Sequence, residues 1–339
     1  MLNRMGYTLA SQAPELDVAA AAARVGRAAA EALFPIDQPI VEPIQPNGQR
    51  GPLVLVRQLP PPGAPDPSAA RLVAAFDAFR DPAARAEARH AAPDEHPHLA
   101  SNNWAVGPRR SATGHALLAG DPHLELTLPS IWYEAHLVVP GQLDVYGVTI
   151  PGLPGIVIGF NRDVAWTFTN TGADVMDFWA EEVDDDVRPT RYRLDGQWRA
   201  LETRVETYRG KDGEIVGVDT LRFTHRGPLR RDSTFGGGRW VSMRWTVLEA
   251  TDNLGAFRDA ARATTARQFL DAMARDYRAP AQNMLVADRA GSIGIRSTGA
   301  YPIRAGDGSG LVVRDGRSRA SDWQGTLPVE RWPQAIDPA

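Results

Sequence analysis

Ser101 is the residue of this sequence that best fits the role of a catalytic nucleophile. It opens the segment SNNWAVG, where a polar, proline-broken stretch gives way to strand-forming sequence. The chain has no cysteine, so a nucleophile would have to be Ser, Thr, Asp, Glu, Lys or His. A serine hydroxyl is weakly nucleophilic near pH 7 and needs a base within hydrogen-bond reach. No G-x-S-x-G or S-x-x-K motif supports another serine mechanism, and on residue types alone a serine at such a loop-to-strand junction is most often only a turn residue.

The composition bounds the class of protein. The 339 residues are 43% hydrophobic and 23% charged, enough for one large domain or two ordinary ones with a buried core. Lys and Arg number 37 against 41 Asp and Glu, and a net charge of -4 argues against a nucleic-acid-binding surface. No run approaches the roughly 18 consecutive apolar residues of a membrane span. The first residues also lack the basic and apolar regions of an export signal.

The local patterns divide the chain into a part before residue 101 that is helical or proline-rich and a part after it that is strand-forming. Residues 15–34 are alanine-rich with helical spacing, which predicts one helix, and a proline-broken extended segment follows. Residues 49–100 are proline-rich and then Ala/Arg-rich, which indicates a linker or a removable insert. From residue 101 onwards, short runs of β-branched and aromatic residues alternate with Gly, Pro and Asn, and predict strands.

Turn and cap signals refine the second half. Asp195-Gly196 and Asp212-Gly213 predict hairpin turns. Residues 252–279 switch to helical periodicity, with Asp252 as the N-cap. A final strand pair turns at Ala290-Gly291, and the remaining tail is loop-like. The pattern predicts an α+β protein with a dominant antiparallel sheet.

Four segments stand in an order that is specific for a known family. They are SNNWAVG at 101–107, GDPHL at 120–124, IPGLPGIVIGFNRDVAWTFTNTGADVMDFW at 150–179 and NMLVADRAGSIGIRSTGAYPIR at 283–304. Together they resemble the β chain of the penicillin acylase family of N-terminal nucleophile hydrolases. Upstream, MLNRM at 1–5 and ELD at 15–17 resemble the α chain of that family around its calcium-binding Glu.

The resemblance implies a fold and a division of the chain. The fold would be a four-layer αββα sandwich of the N-terminal nucleophile hydrolase type, here incomplete. Residues 1–48 would be the C-terminal part of the α chain, 49–100 a spacer removed on maturation, and 101–339 the N-terminal part of the β chain. The two remaining segments would form a heterodimer. The chain would be a fragment of a precursor that, at full length, is periplasmic or secreted.

The resemblance also supplies the missing base. If the Ala100-Ser101 bond is cut, Ser101 gains an α-amine with an unperturbed pKa of about 7.7 to 8.0, which can take the hydroxyl proton. The uncut precursor would then be inert. The oxyanion would be held by the backbone N–H of Asn170 and the side-chain amide of Asn283, and His123 would donate to Ser101 and tune it. Without the resemblance, Asn283 would be an ordinary strand start and His123 an ordinary histidine.

Three further sets of residues are implied by the resemblance. Arg304 corresponds to an arginine near the active-site mouth, with a solvated surface arginine as the alternative. A structural Ca²⁺ site would use Glu15, Asp174, Asp177 and the carbonyl of Met176, which suit a hard cation, with a solvated acidic turn as the alternative. The remaining set would form the acyl pocket: Met1, Met5, Leu124, Ile158 and Phe168. These apolar residues are equally typical of a core.

The function expected from the resemblance is hydrolysis of a linear amide with a hydrophobic acyl group. The small-molecule substrate would be a β-lactam antibiotic side chain or an N-acyl homoserine lactone. Phe168 stands where phenylacetyl-specific members carry a small residue, and His123 with the aliphatic pocket favours the lactones. The alternative from another class is a non-catalytic, truncated remnant of such an enzyme.

Overall fold

The computed structural model describes residues 14–26, 28–30, 101–124, 128–232, 238–249, 251–305, 310 and 312–338. The predicted spacer at 49–100, the predicted extended segment before it, and the pocket candidates Met1 and Met5 lie outside the described residues.

The described helices are few and the strands many. The helices are α1 (Pro14–Val25), α2 (Asn253–Ala260) and α3 (Ala266–Asp276). The strands are β1 (Asn102–Val106), β2 (Leu117–Asp121), β3 (Tyr133–Val139), β4 (Leu143–Thr149), β5 (Ile158–Phe160), β6 (Val164–Asn170), β7 (Met176–Ala180), β8 (Arg191–Leu194), β9 (Gln197–Ala200), β10 (Glu202–Arg209), β11 (Ile215–Thr224), β12 (Gly227–Asp232), β13 (Arg239–Trp245), β14 (Gln282–Asp288), β15 (Ile293–Thr298), β16 (Arg314–Asp315) and β17 (Gln334–Ile336). Short 3₁₀ turns occur at Pro108–Arg110, Thr246–Leu248, Arg319–Ser321 and Val329–Arg331.

Two large sheets organise the described part of the chain. The first has seven antiparallel strands in the order β17-β15-β14-β6-β5-β4-β3. The second has six strands in the order β10-β11-β12-β13-β7-β16, antiparallel except for the parallel pair of β16 with β7. Two hairpins, β1–β2 and β8–β9, complete the strands. The predicted α+β class with dominant antiparallel sheet is confirmed.

Helices α2 and α3 cover the seven-stranded sheet. In α3, Phe269, Leu270 and Met273 are all fully buried, at the three- and four-residue spacing that places them on one helix face. They pack with residues of the central strands, and the ring of Phe269 stacks on Trp166 with centroids 5.2 Å apart. This layer supports β6 and β14 from one side.

A second core lies between α1 and the six-stranded sheet. Leu16 of α1 is buried with Phe178 of β7 and with Val241 and Trp245 of β13. The apolar contact joins a segment from before residue 31 to one from beyond residue 101. Within the described residues, no helix is long and apolar enough to cross a membrane.

The helix predicted over 15–34 is interrupted at Gly26 in the structure. It ends at Val25 because Gly26 adopts a left-handed conformation with φ of 86°, a common way to end a helix. Helical backbone resumes at 28–30, and residues 31–34 lie outside the described part. The sequence does not predict this break, because the residues on both sides of Gly26 are alanine-rich and have helical spacing.

The helical region predicted over 252–279 is split in two. Asp252 caps α2 as predicted, by accepting from the Gly255 N–H, but a turn follows and Thr265 caps α3 by accepting from Gln268. The hairpin turns at Asp195-Gly196 and Ala290-Gly291 are confirmed. The tail predicted as loop adds one short edge strand to each large sheet, β16 and β17.

Candidate active site

Ser101 stands directly before β1, in a hairpin that folds back on it. The register of β1 with β2 pairs Asn102 with Asp121, which brings the residues after β2 beside the serine. As a result the backbone N–H of His123 donates to the Ser101 Oγ over 3.3 Å. Ser101 itself is half-buried. The hydroxyl is thus held at one defined position at the start of a strand.

The hairpin lies against the middle of the seven-stranded sheet. Both β1 and β2 contact β6 and β14. At Gly120 a side chain would collide with Thr167, since a Cβ there would lie 1.9 Å from the threonine Oγ1. Asn103 donates its Nδ2 to the carbonyl oxygen of Asn283 over 3.4 Å. The strand that begins directly after Ser101 is therefore anchored on the strand that carries Asn283.

Asn283 and Asn170 meet across the β6–β14 pair. Asn283 stands opposite Thr169, and Asn170 opposite Gln282. The Asn283 Nδ2 lies 3.3 Å from the Thr169 Oγ1 and 3.4 Å from the Asn170 carbonyl oxygen. Both distances are at the long end for hydrogen bonds. The structure thus brings the two predicted oxyanion residues together and leaves the Asn283 amide loosely held at its nitrogen.

His123 contacts Ser101 through its main chain. The imidazole Nε2 lies 2.7 Å from the Asp121 Oδ2, and both side chains are substantially exposed. The predicted contact to the serine is present, but it is made by the backbone N–H, while the ring is turned to Asp121.

A partly enclosed, largely apolar pocket opens at Ser101. Of the predicted pocket residues, Leu124, Ile158 and Phe168 line it. Sequence reasoning missed most of the other lining residues, which include Pro122, Trp132, Val157, Thr169, Phe257, Tyr277, Pro280 and Gln282. Several have the spacing of core residues, and Phe257 and Tyr277 come from the α2–α3 region, far along the chain from Phe168. Burial raises the pKa of Tyr277, so its phenol stays neutral.

The predicted calcium carboxylates lie near one another, and none of them lines that pocket. Glu15 is fully buried, and neither of its oxygens finds a hydrogen-bond partner on another described residue. Burial raises the pKa of Glu15 to about 9, and the charges of Asp174 and Asp177 act in the same direction. Burial also raises the pKa of Asp174. A buried carboxylate without a partner fits a cation ligand, because the charged form needs compensation there.

Arginines already contact two of these carboxylates. Arg304 donates its Nε to the Asp177 Oδ2 over 2.7 Å and places its Nη2 3.0 Å from the Asp174 Oδ1. Arg314 approaches the other Asp177 oxygen at 3.5 Å, and the Trp323 indole N–H donates to Asp177 as well. Within the described residues, no three His, Asp or Glu side chains are arranged as a ready ligand set. Arg304, predicted at the active-site mouth, thus belongs to this carboxylate cluster and does not line the pocket.

Comparison with known proteins identifies the family. The sequence model of the family described as penicillin amidase matches residues 1–339. The chain is 35% identical over 251 residues to the acyl-homoserine lactone acylase QuiP of Pseudomonas aeruginosa, a match that covers 70% of this chain and 29% of that protein. It is 32% identical over 243 residues to the penicillin acylase 2 proenzyme of Pseudomonas sp. strain SE83, with 70% and 30% covered.

A solved structure extends the likeness to the fold. The thermostable penicillin G acylase from Alcaligenes faecalis matches with a TM-score of 0.61 and 26% sequence identity, over 70% of this chain and 42% of that one. This similarity confirms the predicted N-terminal nucleophile hydrolase type of fold. The chain spans about 29% of the length of the acyl-homoserine lactone acylase it matches.

Proposed function

Because the chain belongs to the penicillin amidase family, we propose that it forms part of an amidohydrolase in which Ser101 is the nucleophile. The observation that carries the proposal is the position of this hydroxyl. It lines an apolar pocket, receives a backbone N–H from His123, and shares that pocket with Asn170. A serine at the mouth of an apolar pocket beside amide donors suits acyl transfer.

Cleavage of the precursor would create the catalytic base. Hydrolysis of the Ala100-Ser101 bond leaves a free α-amine on Ser101, whose ordinary pKa lies close to working pH. The helix α1 would remain attached after excision of residues 49–100, because Leu16 is buried in the core of the six-stranded sheet. We therefore propose a heterodimer of the segments 1–48 and 101–339.

The reaction would proceed in two halves. The Ser101 Oγ attacks the carbonyl carbon of the amide and passes its proton to the α-amine. The oxyanion accepts from the Asn283 side-chain amide and the Asn170 backbone N–H, and its collapse breaks the C–N bond while the α-ammonium protonates the departing amine. Water, activated by the same amine, then attacks the Ser101 ester and releases the carboxylic acid.

The pocket indicates the acyl group. Its aromatic and aliphatic lining would bury a hydrophobic chain or ring, and none of the described residues that line it carries a charge. The relatives are named for acyl-homoserine lactones and penicillin. We propose a substrate of one of these two kinds, either an N-acyl homoserine lactone or a β-lactam antibiotic with a hydrophobic side chain.

The proposed Ca²⁺ ion would stabilise the structure and take no part in the reaction. The orphaned carboxylate of Glu15, with Asp174, Asp177 and the Met176 carbonyl, would hold it between the α segment and the β segment. No step of the reaction needs the ion, because a serine makes the attack. Its contribution would be to hold α1 on the catalytic segment.

A substrate panel tests the proposed function. N-acyl homoserine lactones of several chain lengths and penicillin G are incubated with the purified protein, and the released amine and acid are followed by liquid chromatography and mass spectrometry. We expect hydrolysis by wild type and none by Ser101→Ala. A correctly folded and cut wild type that hydrolyses none of them, or an equally active Ser101→Ala, would reject the proposal in favour of a non-catalytic remnant.

A further inference from the structure

Among the contacts of Asn283 with described residues, one side-chain hydrogen bond is short, and Ser297, which has no role in the proposed reaction, makes it. Ser297 stands directly opposite Asn283 in the β14–β15 pair. Its Oγ donates to the Asn283 Oδ1 over 2.6 Å. The Ser297 backbone is itself fixed, because its N–H donates to the Pro333 carbonyl oxygen over 2.9 Å.

The neighbours of Asn283 determine which way its amide points. The Asn170 carbonyl oxygen, 3.4 Å from the Asn283 Nδ2, can only accept. The NH₂ end must therefore face Asn170, because the flipped amide would place the Asn283 Oδ1 against the Asn170 carbonyl oxygen, and neither of these atoms can donate. The oxygen end then faces Ser297, whose hydroxyl must donate to it. One orientation of the amide satisfies both neighbours.

The two ends of the amide are held unequally. The oxygen end has the 2.6 Å bond from Ser297, whereas the nitrogen end has contacts of 3.3 and 3.4 Å to Thr169 and Asn170. Both of those residues line the pocket at Ser101. The amide is thus anchored at the end away from the pocket. Its donor end can exchange a weak partner for a stronger one, such as an oxyanion.

We propose that Ser297 is a positioning residue, whose hydroxyl orients the Asn283 amide so that its NH₂ faces the residues that line the pocket. This inference rests on the proposed function, because it concerns the same reaction. A hydrogen bond accepted by the amide oxygen also polarises the amide and strengthens its N–H groups as donors. Ser297 would therefore act on the transition state through Asn283, without touching substrate.

A double-mutant cycle tests this role in the whole protein. The variants are Ser297→Ala, which removes the donor, Ser297→Thr, which keeps a hydroxyl at a strand position, Asn283→Ala, and the double variant Ser297→Ala/Asn283→Ala. Rates are measured with the best substrate of the panel and normalised to the fraction of cut chain found by intact mass. Thermal melts show whether each variant is folded.

The expected pattern separates positioning from general stability. Ser297→Ala should lower kcat by about 10-fold or more with KM nearly unchanged, because the lost interaction is made in the transition state. Ser297→Thr should stay within about threefold of wild type. In the Asn283→Ala background, Ser297→Ala should cause almost no further loss, since residues that act through one another are not additive.

Three results would overturn the inference in an active wild type. The first is an unchanged kcat for Ser297→Ala. The second is a loss of kcat on Ser297→Ala that is equally large in the wild-type and in the Asn283→Ala background. The third is a folded Ser297→Thr variant whose kcat is as low as that of Ser297→Ala. If Ser297→Ala does not mature, Ser297→Thr decides alone, and a 10-fold loss in it overturns the inference. A wild type without turnover rejects the proposed function, and the positioning role with it.

Discussion

Asn103 in β1 donates its side-chain amide to the backbone carbonyl of Asn283 in β14, over 3.4 Å. The contact joins the strand that begins after Ser101 to the strand that carries the proposed oxyanion donor. The nucleophile and the donor therefore lie on one packed unit, although 180 residues separate Asn103 from Asn283 in the chain. Catalytic groups held on rigid strands keep their geometry better than groups on loops.

The first prediction concerns the oxyanion donor. Asn283→Ala should lower kcat by roughly 10² to 10³, because it removes one hydrogen bond that strengthens as the oxyanion forms. Steady-state kinetics on the cut variant measure the effect, and its melting temperature serves as the control for folding. A cut, folded variant with near-normal kcat would show that Asn283 does not stabilise the oxyanion.

The second prediction concerns the pocket. Phe168 lies 6.1 Å from Phe257 and 6.4 Å from Phe269, ring centroid to centroid, and it also lines the pocket. Phe168→Leu should free space beside the acyl group and raise kcat/KM for bulkier acyl groups relative to small ones by about 10-fold. Competition between two substrates of different acyl size measures this ratio.

Phe269→Leu is the matched control for that experiment. Phe269 is fully buried in the same core and does not line the pocket. It should destabilise the protein by about 1 kcal/mol or more through lost packing, with the acyl preference unchanged. Equal changes of preference in both variants would mean that the effect of Phe168 is a general loosening of the core.

The third prediction concerns calcium. Added Ca²⁺ should raise the melting temperature by mass action, and Glu15→Gln should abolish that rise, because the variant keeps the shape of the side chain but loses its charge. Chelation should leave the turnover of mature enzyme largely intact. Equal melting temperatures of wild type with millimolar calcium and with chelator would show that the protein binds no stabilising Ca²⁺.

The fourth prediction concerns pH and the turn at residues 184–191. The Thr190 hydroxyl and nearby backbone N–H groups hold the pKa of Asp184 well below its ordinary value. The contribution of Asp184 to stability is therefore present above the unfolded-state pKa of about 3.9 and is lost as the pH falls below it. Wild type should melt above Asp184→Asn at pH 7, and the difference should shrink at pH 3.

Asp186→Asn controls for the loss of one negative charge in the same turn. Melts of the three proteins across this pH range measure the difference. A gap between wild type and Asp184→Asn that grows as the pH falls would contradict the assignment.

The resemblance to the family motifs named residues that the structure places near one another. Ser101 and Asn170 line one pocket, the β6–β14 pairing brings Asn283 to Asn170, and the turn at Ala290-Gly291 sets the register of β14 with β15. The α+β class also follows from the alternation of strand-forming runs and turn residues. These features depend on local chemistry or on recognised motifs.

The other residues of the site are brought together by contacts between segments that are far apart in the sequence. Phe257 and Tyr277 have the spacing of ordinary core helix residues, and only the packing of α2 and α3 on the sheet brings them to the pocket. Ser297 is an unremarkable strand serine until its register opposite Asn283 is known. Arg304 is placed by its ion pairs with Asp174 and Asp177, two carboxylates about 130 residues earlier in the chain.

Mass spectrometry of the protein quenched during turnover tests directly whether Ser101 is the nucleophile. We expect a mature chain that begins at Ser101 and carries the acyl group of the substrate on that residue, as the ester intermediate. Peptide mapping locates both the new N-terminus and the adduct. An active protein in which the Ala100-Ser101 bond is intact, or in which the acyl group is bound to another residue, would show that Ser101 is not the N-terminal nucleophile.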